Sequence, residues 1–200
     1  MVTFDPLDGS SIVDTNFAIG SIFSIWKTNP NKLIGDTLRT QVNAIITIFG
    51  PRTTAIYYNS VENKVQELTS VDDHWIISHD HCIIKDKTKI FSPGNLRSAS
   101  DNLEYRAAVI EWIAQGKTLR YTGGLVVDVS QIFIKGNGIF SNVGSLNHKC
   151  KLRALYEAAA LGYLIEKAGG KTITKGKVSL LDYVITGYDD RLSFAMGSAE

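Results

Sequence analysis

From Phe17 to Ser78 the chain is a run of short β-rich segments parted by turn residues, and this spacing limits its fold more than any other feature. Phe17 to Trp26 reads FAIGSIFSIW, dense in aromatic and β-branched residues, and predicts a strand. Gly50-Pro51 interrupts the next run, and Thr53 to Tyr58 predicts another strand. Asn59 to Asn63 supplies a turn, after which Val65 to Val71 and Trp75 to Ser78 predict two more. Strands this closely spaced favour a meander or a set of hairpins. Thr40 to Phe49 fits helix or strand equally on pattern alone.

Beyond residue 100 the pattern lengthens. A helix is predicted from Asp101, with Asp101 as its cap, Glu104 three positions on and Gly116 as its stop. Its apolar stripe would be Leu103, Ala107, Ile110 and Ala114. A second helix is predicted from about Lys151 to Lys167, ending at Gly169-Gly170. Gly124 to Val129 and Gln131 to Lys135 fit helix or strand, whereas Ile139 to Val143 and Phe194 to Ser198 predict strands. Helices and strands alternate irregularly, so the class is α/β or layered α+β.

The 200 residues are 44% hydrophobic and 20% charged with a net charge of +1, the composition of an ordinary globular chain. That balance gives no reason to expect nucleic acid or an anionic membrane as partner. No apolar run approaches the roughly 18–20 residues of a membrane helix. Cys82 and Cys150 lie far apart in dissimilar surroundings and predict two reduced thiols.

Chemistry concentrates in a few strings. Asp5 to Ser11 reads DPLDGSS. Proline biases Asp5 toward an extended backbone, so Asp5, the Leu7 carbonyl and Asp8 can be aimed at one point within a short turn. Such hard oxygen donors suit Mg²⁺ or Mn²⁺. The N–H groups of Gly9, Ser10 and Ser11 can form a nest for a phosphate. In KLRALYE, Arg153 and Glu157 share a helix face, either as a solvated ion pair or as part of a site with Lys151 on substrate and Glu157 on metal. Arg120, Tyr121, Gly123 and Gly124 in LRYTGG, and Asn95 and Arg97 in SPGNLR, offer donors beside glycine turns. His74, His79, Asp80, His81 and Cys82 lack a regular ligand spacing and are set aside as a zinc site.

Taken in order, FDPLDGSS, GPRTT, FSPGNLR, LRYTGG, GIFSNV, KLRALYE and LIEKAGG resemble the fructose-1,6-bisphosphatase family, most closely its sedoheptulose-bisphosphatase branch. The resemblance implies a layered αβαβα sugar-phosphatase fold with its N-terminal part missing. Residues 1–75 would be the remainder of the metal-bearing domain, and 76–200 a sugar-phosphate-binding domain cut short at its end. It implies Mg²⁺-dependent hydrolysis of the 1-phosphate of sedoheptulose 1,7-bisphosphate. Fructose 1,6-bisphosphatase or dual activity, and a catalytically dead sugar-phosphate binder, are the alternatives.

Carried over residue by residue, Asp5, the Leu7 carbonyl, Asp8 and Glu157 would hold metal, and Gly9, Ser10 and Ser11 the 1-phosphate. Lys151 would meet the sugar, Asn95 and Tyr121 the distal phosphate, and Gly123, Gly124 and Leu125 would line the sugar. Arg120 would reach a neighbouring subunit's site in a homodimer or homotetramer. Two tyrosines of the family fall here at Ser98 and Asn142, and Arg97 replaces a glycine. The smaller side chains would make room for a seven-carbon sugar, with Arg97 supplying charge. The family's remaining acidic ligands would lie upstream of Met1, leaving Mg²⁺ weakly bound and turnover impaired. A cytoplasmic or plastid address fits equally.

Overall fold

A computed structural model describes residues 1–27, 30 and 32–200. Among the described residues, eleven strands form two sheets with three α-helices. The first sheet holds β1 (Val2–Asp8), β2 (Ile19–Trp26), β3 (Gln41–Phe49), β4 (Thr53–Asn59), β5 (Lys64–Val71) and β6 (His74–His79) in chain order. Every neighbouring pair is antiparallel, so the predicted meander is what forms. The ambiguous 40–49 run is a strand, β3, because each neighbour offers it a ladder and its alternate residues Ala44 and Ile46 face the core.

The second sheet has the order β10–β11–β9–β7–β8, from β7 (Ile90–Gly94), β8 (Thr118–Leu119), β9 (Ile139–Asn142), β10 (Lys171–Thr174) and β11 (Phe194–Gly197). β7 runs parallel to both β8 and β9, through crossovers that carry α1 (Leu103–Ala114) and α2 (Leu125–Lys135). α2 spans both segments that the sequence divides at residue 130. The α3 helix (Ala159–Lys167) follows a π-helical turn at Ala154–Ala158, so the second predicted helix starts three residues later than Lys151.

α2 and α3 pack between the sheets, touching β2 and β3 on one side and strands of the second sheet on the other. One core joins them, with Ile22, Ile46 and Ile56 of the first sheet meeting Phe133, Leu161, Leu164 and Phe194. α1 lies on the other face of the second sheet, where Tyr105 and Val109 pack on Phe91. The layers therefore read sheet, helices, sheet, helix, an α/β fold.

α1 departs from its predicted details. Its cap is Asn102, whose side chain accepts from Tyr105 N at 3.0 Å, and not Asp101. Asp101 is turned to Asn147 N instead, at 2.9 Å. The predicted apolar stripe faces outward, with Leu103 69% and Ile110 58% exposed. The aromatic ring of Tyr105 and the tilted Phe91–Trp112 contact decide which side packs, and periodicity in four aliphatic residues did not reveal it.

Candidate functional site

β1 delivers two carboxylates. Residues three apart on a regular strand face opposite sides. The register on β2 shifts, however, from Asp5 opposite Ile22 to Asp8 opposite Gly20. This β-bulge inserts one residue and returns both carboxylates to the same face. Pro6 sits in the bulge, where a missing N–H is tolerated, and its carbonyl accepts from Ser21 Oγ at 2.8 Å. DPLDGSS is thus a strand end followed by a turn, and not one short turn. The turn begins at Gly9, whose φ of +93° suits glycine, and closes with Ile12 N on Gly9 O at 2.9 Å.

The third carboxylate comes from the π-helical turn. There Ala158 N bonds Arg153 O at 3.0 Å, the wide spacing that marks the π form. Thr3, on the same face of β1 as the two aspartates, accepts from Trp26 Nε1 at 2.8 Å, and its hydroxyl donates to Leu155 O at 3.4 Å. This hook holds the turn against β1. Oxygens of Asp5, Asp8 and Glu157 come within 4.8 Å of one another, the one such acidic, histidine or cysteine group found among the described residues.

Glu157 does not form the surface ion pair with Arg153 that its spacing also allows. Its Oε2 accepts from the Arg153 backbone N at 2.6 Å, while the Arg153 guanidinium turns to Asp189 at 3.1 Å. Asp8 accepts from Val126 N at 2.7 Å, at the N-terminus of α2, where a negative charge is favoured. Asp8 is 5% and Glu157 8% exposed. Burial pushes the Asp8 carboxyl up to about 6, the charge of Asp5 adding to it against the Val126 hydrogen bond. Burial pushes Glu157 up to about 7, opposed by the Arg153 N–H and reinforced by Asp5 and Asp8.

None of the three carboxylates ion-pairs with a lysine or arginine among the described residues. Clustered, with Asp8 and Glu157 buried, Asp5 half-buried and none of them paired with a basic side chain, this all-oxygen donor set fits a hard divalent cation such as Mg²⁺ or Mn²⁺. The Leu7 side chain is exposed, and its N–H donates to Asp5 Oδ1 at 3.0 Å.

Asp8 joins the cluster to a cavity of about 440 Å³, whose lining does not include Asp5 or Glu157. Of the residues singled out in the sequence, Asp8, Ser11, Asn95, Arg97, Tyr121, Gly123, Leu125 and Lys151 line it. The cavity lies beyond Gly94 and Asn142, the C-terminal ends of parallel strands β7 and β9, where ligands of such sheets bind. Gly124 is beside it; a Cβ there would meet Ile12 at 3.1 Å and Asp8 Oδ2 at 3.8 Å. Gly9 and Ser10 belong to the adjoining turn but not to the lining. Arg120 is also outside it, its backbone N on Phe91 O at 2.9 Å and its carbonyl accepting from Ser92 Oγ.

Two expectations about room in the cavity separate. Asn142 lines it, with Nδ2 donating to Leu192 O at 3.2 Å. Ser98 is 0% exposed and stands outside the lining, with its Oγ 2.7 Å from Val143 O and 2.9 Å from Asn95 O. Ser98 is a fastener in the wall and enlarges nothing.

Asp128 escaped the sequence reading. It is buried and lines the cavity, accepting from Thr122 N at 2.7 Å and Gly123 N at 3.1 Å. Burial raises its pKa, against these hydrogen bonds. Its one signal in the sequence is an acid inside the apolar helix run LVVDVSQIF. Elsewhere, Asp80 pairs with Lys64 at 2.8 Å, and burial pushes the Cys82 thiol up to about 12.

Comparison with known proteins follows this geometry. The sequence profile described as fructose-1-6-bisphosphatase, N-terminal domain, matches residues 1–79, and that of the C-terminal domain matches 84–200. The chain is 48% identical over 198 residues to chloroplastic sedoheptulose-1,7-bisphosphatase of Spinacia oleracea, covering 98% of this chain and 50% of that protein. It is 37% identical over 203 residues to fructose-1,6-bisphosphatase class 1 of Geobacter metallireducens, covering 98% and 61%. A Toxoplasma gondii crystal structure, described as a candidate sedoheptulose-1,7 bisphosphatase, superposes with a TM-score of 0.91 at 41% identity, covering 99% of this chain and 68% of that one. The chain thus spans 50 to 61% of the length of these two curated relatives. With both profiles matched along almost its whole length, the chain belongs to the fructose-1,6-bisphosphatase family.

Proposed function

We infer that this protein is a phosphoric monoester hydrolase that removes the 1-phosphate of sedoheptulose 1,7-bisphosphate, with Mg²⁺ or Mn²⁺ as cofactor. The observation that carries the reading is the Asp5–Asp8–Glu157 cluster, whose Asp8 lines a cavity that also bears Arg97, Tyr121 and Lys151. Acid at one part of a cavity and phosphate-binding donors at another suit a substrate with two phosphates. The preference for the seven-carbon sugar is supported by 48% identity to the spinach enzyme against 37% to the bacterial one.

Asp5, Asp8 and Glu157 would hold the cation, with the Leu7 carbonyl as a further oxygen. When bound, the cation supplies Lewis-acid polarisation of the scissile phosphoryl group. The chain's own groups do the rest. The amides of Gly9, Ser10 and Ser11 receive the 1-phosphate in the turn after β1. Lys151 places its charge on sugar oxygens, and Gly123 to Leu125 bring backbone against the ring. Arg97 can fork the distal phosphate through paired N–H groups, and Tyr121 adds a hydroxyl. Asp128 holds the Thr122–Gly123 turn, which keeps α2 pointed at Asp8. Arg120, exposed and outside the cavity, is left to serve a neighbouring subunit in a homodimer or homotetramer.

No described helix is long and apolar enough to cross a membrane. The spinach relative is chloroplastic, which supports the plastid address of the two that the resemblance allows.

Phosphate release from sedoheptulose 1,7-bisphosphate and from fructose 1,6-bisphosphate, with Mg²⁺ and with chelator, tests the reading. Mg²⁺-dependent release with sedoheptulose 7-phosphate as product, and a higher kcat/KM for the seven-carbon substrate, is the expected result. Equal or reversed preference would assign the site to fructose 1,6-bisphosphate. Saturable binding of both sugars without release would make the protein a sugar-phosphate binder.

A further inference from the structure

A second cavity, of about 370 Å³, lies at the start of β7, the end of that strand away from the candidate site. Lys87, Thr88, Lys89, Gln115, Lys117 and Glu200 line it. β7 spans about 13 Å at roughly 3.3 Å per residue, and its other end, Gly94, lines the cavity that holds Asp8. No described residue lines both cavities.

An unpaired hydroxyl and unpaired charge meet here. Thr88 is 7% exposed, and its Oγ1 is buried without a hydrogen-bond partner among the described residues. Buried polar atoms are nearly always paired, so this one is open to an oxygen ligand. Lys87, Lys89 and Lys117 form no ion pair among the described residues, neither with Glu200 nor with any other acid.

The wall is held in place from both sides. Lys117 N donates to Trp112 O at 3.0 Å in the last turn of α1, and its Nζ donates to Thr88 O at 3.2 Å. An ammonium has three N–H groups, so two remain on Lys117 for a ligand. Lys89 N donates to Asn137 Oδ1 at 3.0 Å, and Lys89 O accepts from Thr118 N at 2.9 Å. Three positive side chains against one negative, around a free hydroxyl, suit a doubly charged oxyanion.

We propose that this cavity is a second anion site, which takes inorganic phosphate or the phosphate group of a small phosphomonoester. Lys87, Lys89 and Lys117 supply charge and N–H donors, and Thr88 turns its hydroxyl onto a phosphate oxygen. The site shares no residue with the Asp5–Asp8–Glu157 cluster and does not rest on the sugar-bisphosphatase reading.

The test is a phosphate titration of the whole chain in chelator, followed by amide NMR at constant ionic strength so that general screening stays fixed. The amides of residues 87–89 and 117 shift saturably with phosphate and not with chloride. Lys87→Ser with Lys89→Ser weakens binding about tenfold or more, the scale of lost charge-assisted contacts. Thr88→Val keeps the shape but loses the hydroxyl, so binding weakens severalfold while the melting temperature stays the same or rises. Glu200→Gln tightens binding, because the one opposing side-chain charge is gone.

Shifts that grow linearly without saturating would mean only diffuse attraction to surface lysines, and would overturn the proposal. Saturable shifts confined to Arg97, Tyr121 and Gly123 would place phosphate in the first cavity alone, with the same consequence. A Thr88→Val protein that binds phosphate as tightly as the unmodified one would overturn the role given to the hydroxyl.

Discussion

Asp8 and Glu157 are buried carboxyls whose shortest backbone hydrogen bonds come from Val126 N at 2.7 Å and Arg153 N at 2.6 Å. Their carboxyls, pushed up to about 6 and about 7, are costly to ionise at neutral pH, with burial the largest cause and mutual repulsion adding to it. Neutralising one relieves that cost, at roughly 1.4 kcal/mol per pKa unit recovered. Glu157→Gln is therefore expected to melt at the same temperature as the unmodified protein or a few degrees higher in chelator, measured by calorimetry at pH 7.5. Catalysis would move the other way, with phosphate release falling by about two orders of magnitude or more. A large loss of melting temperature in Glu157→Gln would instead make the residue a structural cap of its helix. Ser98 belongs to the same scale. With 0% exposure it has no space for a ring, so Ser98→Tyr should cost about 1–3 kcal/mol, read as a lower melting temperature, without restoring a fructose preference.

Single elements place these residues, and three of the placements depend on irregularities. The β1 bulge turns Asp5 and Asp8 to one side, and the π-helical turn carries Glu157 toward them. Gly20, opposite Asp8, lets α2 approach β2; a Cβ there would come 2.5 Å from Thr47 O and 2.8 Å from the Val126 side chain. Gly20→Val should therefore destabilise by about 1–3 kcal/mol and weaken Mg²⁺ binding, because Val126 N must retreat from Asp8. The π-helical turn leans on the loop 183–190, where Asp190 O accepts from Ala154 N at 2.7 Å. Burial alone would raise the Asp190 pKa, but the N–H groups of Thr186 and Gly187 and the hydroxyls of Thr186 and Tyr183 outweigh it and lower it. A lowered folded pKa gives stability that is present above the ordinary carboxylate range and lost as pH falls through the folded value. Below about pH 4 the amides of Thr186 and Gly187 should lose protection relative to their intrinsic exchange rates, and Asp190→Asn should show that loss of protection already at pH 7.

The same elements show what a sequence displays and what it hides. Alternation in FAIGSIFSIW and TTAIYY exposes strands because each has one buried face, and the meander follows from their short turns. Glu157 was ambiguous because spacing places it on a helix face but does not say which way that face points. The bulge is set by pairing with β2, which β1 alone does not encode. α1 presents its aliphatic stripe outward because Tyr105 and Val109 have the second sheet to pack on. Asn95 announces a polar donor in SPGNLR, but its three partners are a residue two positions on and carbonyls some fifty positions away.

Across the whole molecule the two family profiles meet near residue 80, yet the core does not divide there. Ile22 and Ile56 on one side and Phe133 and Phe194 on the other belong to a single cluster, with α2 and α3 between them. Calorimetry should therefore show one unfolding transition whose van't Hoff and calorimetric enthalpies agree; two separable transitions would mean the sheets fold independently. The shared core also explains why the site is composite. Its acids come from the edge of one sheet and from the turn before α3, and the cavity wall that carries Asn95 and Arg97 from the strand ends of the other. The central claim is that Asp5, Asp8 and Glu157 bind one class of divalent cation for phosphate release. The most direct measurement is a Mn²⁺ titration followed by electron paramagnetic resonance on the unmodified protein and on Glu157→Gln. A saturable site that weakens about tenfold or more in the variant is the expected result, and the same affinity in both proteins would contradict the account.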